Sequence, residues 1–398
     1  MSKRESGPPA GKSFVPLSVP HLAGNEWTYI KECLDTDWVS SVGPFVDRFE
    51  REVAQAAGTK YAVATVNGTA ALHIALLLAG VEPGDEVMVS DLTFIAPANA
   101  IRYTGAYPVF IDAESSYWQM DVQKLKDFLE NGCEITRGGL INKVTRRNVR
   151  ALLPVHILGS ACDMAPILEL AGRFGLPVVE DATECLGARY RDKPAGSLGL
   201  MGCFSFNGNK ILTTGGGGML VTDDECLAQR AHYLTTQAKD DPLEFVHGTV
   251  GYNYRLPNVL AALGCAQLEQ LRTFIAHKRE IAAAYTADFA DLSAINPMRE
   301  PPGVFSTYWL YTVRVETVEG RPGSRDLIKA LDTQGIQTRP LWQPMHLSPA
   351  HRGVFATDCS VAEKLNRECL SLPCSVGLAR EDRRRVAGAV RGALGASP

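Results

Sequence analysis

The chain has 398 residues and ten cysteines, yet no two of them stand as a C-x-x-C pair. No clustered His/Cys ligand set appears either, which argues against a structural zinc site, and no metal is expected. Unpaired thiols, several of them in apolar segments, read as reduced cysteines of a cytoplasmic protein. Long hydrophobic runs are also missing. The densest, 70–81, is about half the length of a membrane span and is interrupted by His73. The first twelve residues are basic but have no apolar stretch behind them, so they read as a short disordered tail over 1–14 and not as a signal peptide. Neither sign of charge prevails: Lys+Arg total 40 against Asp+Glu 44, a net charge of −4. That balance gives no field for nucleic acid or an anionic membrane. A strand-borne G-x-G-x-x-G, a G-x-x-x-x-G-K-[ST] and an H-E-x-x-H are all absent, and the run Gly215–Gly218 has the wrong spacing for the first. A dinucleotide oxidoreductase, a P-loop enzyme and a zinc hydrolase are thereby disfavoured.

What is present is alternation. Short β-rich runs at 61–66, 86–90, 108–112, 152–157, 177–181, 202–206 and 218–222 are interleaved with helical patterns at 69–79, 95–101, 122–130 and 165–174. That order predicts an α/β fold, a mostly parallel seven-stranded sheet with helices on both faces. Beyond about 256 the pattern changes. Leu260, Leu263, Leu268, Leu271 and Ile275 follow a near-helical stripe, which predicts a long, kinked helix over 257–289. A strand at 309–315, a helix at 325–334, a Pro-rich loop at 339–349 and a last helix from 381 follow. The expectation is a large domain over 15–270 and a smaller α+β domain over 271–398. The basic clusters at 146–147 and 383–385 read as solvated faces.

Three motifs carry chemistry. In Val66-Asn67-Gly68-Thr69-Ala70-Ala71-Leu72 a strand ends and an apolar helix begins, which offers backbone N–H groups and a hydroxyl to a phosphate; alone, it reads equally as a helix capped by Thr69. In Val178-Val179-Glu180-Asp181-Ala182 an acid ends an inner strand, where α/β sheets bind ligands; alone, it could be another cap. A buried carboxylate needs a partner, and a protonated ring nitrogen would supply one. In Phe204-Ser205-Phe206-Asn207-Gly208-Asn209-Lys210 a single lysine sits in a loop rich in Gly and Asn; alone, it is a surface lysine. A desolvated lysine near cationic charge becomes a Schiff-base nucleophile. Together the three describe one ligand, with a phosphate, a basic ring nitrogen and an aldehyde: pyridoxal phosphate (PLP, or its amino form PMP).

These residues resemble the DegT/DnrJ/StrS sugar aminotransferases, a fold type I group related to aspartate aminotransferase, over roughly residues 15–375. The marks are Glu180-Asp181-Ala182-Thr183-Glu184, Phe206-Asn207-Gly208-Asn209-Lys210, Gly251-Tyr252-Asn253-Tyr254-Arg255-Leu256-Pro257-Asn258 and Arg339-Pro340-Leu341-Trp342. The nearest subgroup by these motifs is the LegC/PglE-like one. The resemblance implies a Schiff base at Lys210 and proton transfer by its freed amine. It implies Asp181 at the pyridinium nitrogen, Gly68, Thr69 and Ser205 on the phosphate, and Phe94 against the ring. Asn253 would reach the neighbouring subunit's cofactor with Arg255 assisting, so the active form would be a homodimer. Glu184 stands near the cofactor where many relatives carry Gln or His. The plain alternatives are a core aromatic for Phe94 and a helix cap for Asn253.

The same resemblance implies transfer of an amino group from L-glutamate to the 4-keto carbon of a nucleotide-linked 6-deoxy sugar. The expected substrate is UDP-2-acetamido-2,6-dideoxy-4-hexulose; a GDP-linked 4-keto sugar, a sugar 3-aminotransferase and a non-catalytic PLP-binding regulator are the alternatives. A 3-dehydrase is disfavoured because those relatives replace the lysine with His. Cys359 or Cys374 as a desulfurase nucleophile has no local support. Candidates for the sugar nucleotide are 20–22, Trp38, Tyr308, Trp309, Arg339, Trp342 and His346, aromatic and cationic groups that suit a base and a diphosphate. Trp309 and Trp342 read equally as core of the small domain. His156, near the end of a strand, is left between site wall and packed core.

Overall fold

The computed structural model describes residues 14–241, 243–317 and 320–395; the expected N-terminal tail falls almost wholly outside them. The central strands are β1 (Tyr61–Thr65), β2 (Glu86–Ser90), β3 (Tyr107–Ile111), β4 (Val149–Leu153), β5 (Val179–Asp181), β6 (Met201–Ser205) and β7 (Gly218–Thr222). Backbone bridges Leu152–Val178 and Val155–Asp181 join two smaller groups into one sheet, in the order β1-β7-β6-β5-β4-β2-β3. All seven expected strands form. β7 alone runs against its neighbours, pairing antiparallel with both β1 and β6. The strands are buried on both faces, as their unbroken apolar runs require.

The first helices are α1 (Glu26–Asp35), α2 (Pro44–Ala57), α3 (Gly68–Leu78), α4 (Ala96–Tyr103), α5 (Val122–Asp127), α6 (Met164–Phe174) and α7 (Glu225–Thr235). α3 is buried along nearly its whole length. It starts where β1 ends, and its cap is Asn67, whose side chain accepts from the Ala70 amide at 2.8 Å. Thr69 is therefore not the cap, and its hydroxyl is left for other use. The expected helix over 257–289 breaks into α8 (Asn258–Leu268) and α9 (Leu271–Asp288). The break falls at Glu269 and Gln270, where Glu269 turns out to take ion-pair and hydrogen bonds from Arg48, Tyr29 and Asn25.

A second, antiparallel sheet follows: β8 (Ile295–Pro297), β9 (Tyr311–Val315), β10 (Arg339–Pro340) and β11 (Cys369–Leu372), in the order β8-β9-β11-β10. It is flanked by α10 (Ser324–Asp332), α11 (Ser360–Glu368) and α12 (Arg380–Ala393). Val15, near the chain start, pairs with Ile336 beside β10, so the first described residues pack with the last part of the chain.

Candidate active site

β1, β2, β5 and β6 all point their carboxyl ends at one edge of the central sheet, where open α/β sheets bind ligands. A cavity of about 290 Å³ opens there, lined by Gly68, Thr69, Phe94, Thr183, Glu184, Ser205, Asn207, Lys210, Trp309 and Trp342 among others. Lys210 lies in the connection between β6 and β7. That connection is pinned by Phe206 N–H to Gly217 O at 2.8 Å and Thr214 N–H to Phe206 O at 2.9 Å. The ammonium stands 4.2 Å from the ring centroid of Trp309 and 3.5 Å from Glu184 Oε1. The Trp309 indole N–H in turn donates to Asn209 O at 2.7 Å, which ties the aromatic platform to the lysine's own loop.

Asp181, the last residue of β5, is buried behind this group, and its Oδ1 accepts from the Thr183 amide at 3.1 Å. Burial pushes its carboxyl up, against the pull of Thr183 and the Lys210 charge. Glu184 is also buried. Its Oε2 accepts from the Leu158 amide at 2.8 Å, and burial pushes the carboxyl up to about 7 in spite of Lys210. A carboxyl that changes charge near neutral pH, within reach of a lysine, can hold or release a proton beside it.

The sequence profile of the DegT/DnrJ/EryC1/StrS aminotransferase family matches residues 20–391. The chain belongs to this family. It is 41% identical over 380 residues to a GDP-perosamine synthase of Caulobacter vibrioides, covering 94% of this chain and 97% of that one. It is 39% identical over 368 residues to a GDP-perosamine synthase of Escherichia coli O157:H7, covering 92% and 95%. Among solved structures, the DesV protein of S. venezuelae superposes with a TM-score of 0.83 at 34% identity, covering 94% of this chain and 95% of that one. The protein is thus a pyridoxal-phosphate-dependent sugar aminotransferase of fold type I.

The pocket fits that cofactor. A Cβ added at Gly68 would lie 2.9 Å from Ser205 Cβ and 3.1 Å from Thr183 Cγ2, so the backbone at the start of α3 already lies close against its neighbours, with no room for a side chain on that side. The amides of that helix start, a buried carboxylate and a single lysine form the donor set that a phosphate, a ring nitrogen and an aldehyde call for. Phe94, 56% exposed at the rim, is no core aromatic.

Other expected residues of this aminotransferase lie apart. Trp38 lines a separate cavity of about 380 Å³ with His232, Thr236 and Arg255. Arg255 is committed within its own chain, donating to Glu50 Oε1 at 2.6 Å and Ala64 O at 3.1 Å, which leaves little of it to assist Asn253. Asn253 is exposed and caps no helix; its backbone pairs with Thr236, away from the pocket of its own chain. Tyr308 faces Arg279, and Arg339 donates to Thr338 O. His21 lines a small cleft with Ser375 and Gly377.

His346 does not touch the pocket either. It binds Asp91 twice, through its amide to Oδ1 at 2.8 Å and through Nδ1 to Oδ2 at 2.8 Å, while Met345 N–H donates to Asp91 O at 3.1 Å. Asn366 on α11 donates to both Leu341 O and Trp342 O, at 2.8 and 2.9 Å. These bonds hold the loop that carries Trp342 against the segment that carries Phe94, three residues after Asp91. His156 is packed core. The Cys162 amide donates to its Nδ1 at 3.1 Å, so the ring proton sits on Nε2 and goes to Glu180 Oε2 at 2.8 Å. The Glu180 charge favours an imidazolium, but the occupied Nδ1 keeps the ring neutral. Cys359 is buried beside Asp91 and Asp112, and burial with those charges pushes its thiol far up, which removes it as a nucleophile. Sequence reasoning passed over Thr183, Asn207 and Trp309's bond to Asn209 as site features; the first two stand inside quoted motifs, and the third joins residues a hundred positions apart.

Proposed function

We propose that the protein transfers an amino group from L-glutamate to the 4-keto carbon of a GDP-linked 6-deoxy sugar. The placement of Lys210 over Trp309, beside Glu184 and above buried Asp181, carries the transamination reading. The nucleotide rests on the relatives: two named above, at 41% and 39% identity, are GDP-perosamine synthases, and a third, of Vibrio cholerae, is 33% identical over 379 residues. The UDP-linked substrate expected from the motifs finds no support in those names and becomes the second reading.

In this proposal Gly68, Thr69 and Ser205 hold the cofactor phosphate, Asp181 keeps the ring nitrogen protonated, Phe94 covers one face, and Asn253 of a second copy completes the site across a homodimer. Pyridoxal phosphate, so held, supplies an electron sink and carries the amino group from one substrate to the other. Every proton transfer falls to Lys210. Its amine would take the α-proton of glutamate and pass it to the cofactor's C4′ carbon in the first half-reaction, and would move a proton from that carbon to the sugar carbon in the second. Trp309 limits where the amine swings, and Glu184, whose carboxyl burial pushes up to about 7, stands 3.5 Å from it. The two substrates use one lysine in turn, so kinetics are ping-pong.

The test is a direct assay of 2-oxoglutarate release from L-glutamate with GDP-linked and UDP-linked 4-keto-6-deoxy sugars. Higher kcat/KM with the GDP sugar is expected. Preference for the UDP sugar would overturn the nucleotide assignment, and no turnover with either would overturn the reaction.

A further inference from the structure

One buried cation has no part in this chemistry. Lys278, in the middle of α9, is 2% exposed, and its two hydrogen-bond contacts are Trp309 O at 2.7 Å and Cys374 Sγ at 3.8 Å. Neither is a carboxylate. Burying a charge without a counter-charge is costly, and burial pushes this amine down from its ordinary value, which favours its neutral form. A neutral amine suits the two contacts. One N–H goes to Trp309 O and another to the Cys374 sulfur. Cys374 is 1% exposed and its own Sγ lies 3.6 Å from the same carbonyl. A nucleophilic nitrogen and a sulfur are therefore held face to face, on two elements 96 residues apart in sequence, in a closed apolar setting.

We infer that Lys278 and Cys374 form a reversible covalent cross-link through one bridging oxygen when the protein meets hydrogen peroxide. The steps balance. The Cys374 sulfur attacks one peroxide oxygen, the O–O bond breaks, and the thiol proton leaves with the released hydroxide as water, giving a sulfenic acid. The Lys278 nitrogen attacks a second peroxide in the same way and becomes a hydroxylamine, with a second water released. The hydroxylamine oxygen then attacks the sulfenic sulfur, the S–OH bond breaks, and a third water leaves. Two peroxides are consumed, and two dithiols reverse the product to thiol, amine and water. Direct S–N condensation would require the two atoms to close most of the 3.8 Å gap; an inserted oxygen spans more of it. The product would staple α9 to the residue two past β11. It would also replace the lysine's bond to Trp309 O, the backbone of the ring on which Lys210 rests.

The experiment treats the holoenzyme with hydrogen peroxide, digests it with trypsin without reductant, and maps the peptides. Expected is a linked pair holding Lys278 and Cys374, heavier than the two peptides by one oxygen less two hydrogens. Cleavage after Lys278 would be lost and then regained on dithiothreitol treatment. Heavy-oxygen peroxide would label the bridge. Cys374→Ser and Lys278→Met would each abolish the pair, and either alone suffices if the other does not fold. Recovery of Cys374 only as unlinked thiol, sulfenic or sulfinic acid, with normal cleavage at Lys278, would overturn the inference. So would a pair lacking the oxygen.

Discussion

Replacing Glu184 by Gln isolates the cost of the charge buried beside Lys210. The carboxyl is pushed from its ordinary 4.5 up to about 7, mainly by burial. At about 1.4 kcal/mol per unit, ionising it in the folded chain costs about 3 kcal/mol more than in the unfolded one. The sign follows from proton counting. Between pH 4.5 and 7 the folded state still holds a proton that the unfolded state has lost, so stability falls as pH rises across that window and levels off above it. The amide variant keeps an acceptor for the Leu158 N–H, bonded at 2.8 Å, and has no charge to pay for. Between about pH 5.5 and pH 8.5 the cofactor-free wild type should lose about 2 kcal/mol relative to the variant. For a chain this long that is a difference of about 2–3 °C in the shift of Tm between the two pH values. Differential scanning fluorimetry of both proteins, freed of cofactor, at the two pH values reads it directly. Parallel curves, with the same Tm difference at both pH values, would refute the argument that burial governs Glu184.

Three further outcomes are expected. Lys210→Ala should lower turnover by at least about 10³-fold, since one residue carries every proton transfer, and the assay is glutamate-dependent 2-oxoglutarate release; a loss under tenfold would remove the lysine from the chemistry. Gly68→Ala must displace Ser205 or Thr183; cofactor titration should show a weaker Kd with the same overall fold by circular dichroism. His346→Ala should free the loop that carries Trp342, raising KM for the sugar nucleotide about tenfold while the glutamate half-reaction, followed by its absorbance change, stays within about twofold; His346→Gln, which can still donate to Asp91, should recover part of the loss.

Much of the fold was legible because parallel strands buried on both faces leave continuous apolar runs. Leu152-Leu153 and Val178-Val179 are such runs, and the core places them at the centre of the sheet. The antiparallel sense of β7 left no such trace, since strand direction depends on partners and not on the strand's own residues. The cavity at the sheet edge was legible for a related reason: Asp181 and Ser205 end strands, and Gly68 and Lys210 lie in the connections that leave strand ends, where open α/β sheets bind ligands. The wall that Trp342 supplies was not. Trp342 reaches the pocket only because Asp91 and Asn366, far apart in sequence, hold its loop. His346 looked like a ligand-binding residue for the same reason that it makes a good anchor: an imidazole offers two nitrogens at fixed angles. The bond of Arg255 to Glu50 was not legible either, because the two sit 205 residues apart.

The hairpin that carries Lys210 has a mechanical consequence. Ser205 and Gly218 face each other across the ladder, so the intervening segment is clamped at both ends by adjacent strands of the innermost layer. A backbone so tethered has little freedom to travel during turnover. In the proposed reaction, the reach of this residue from one substrate to the other would come from rotation about the four methylenes of its own side chain, with the indole beneath it acting as the stop.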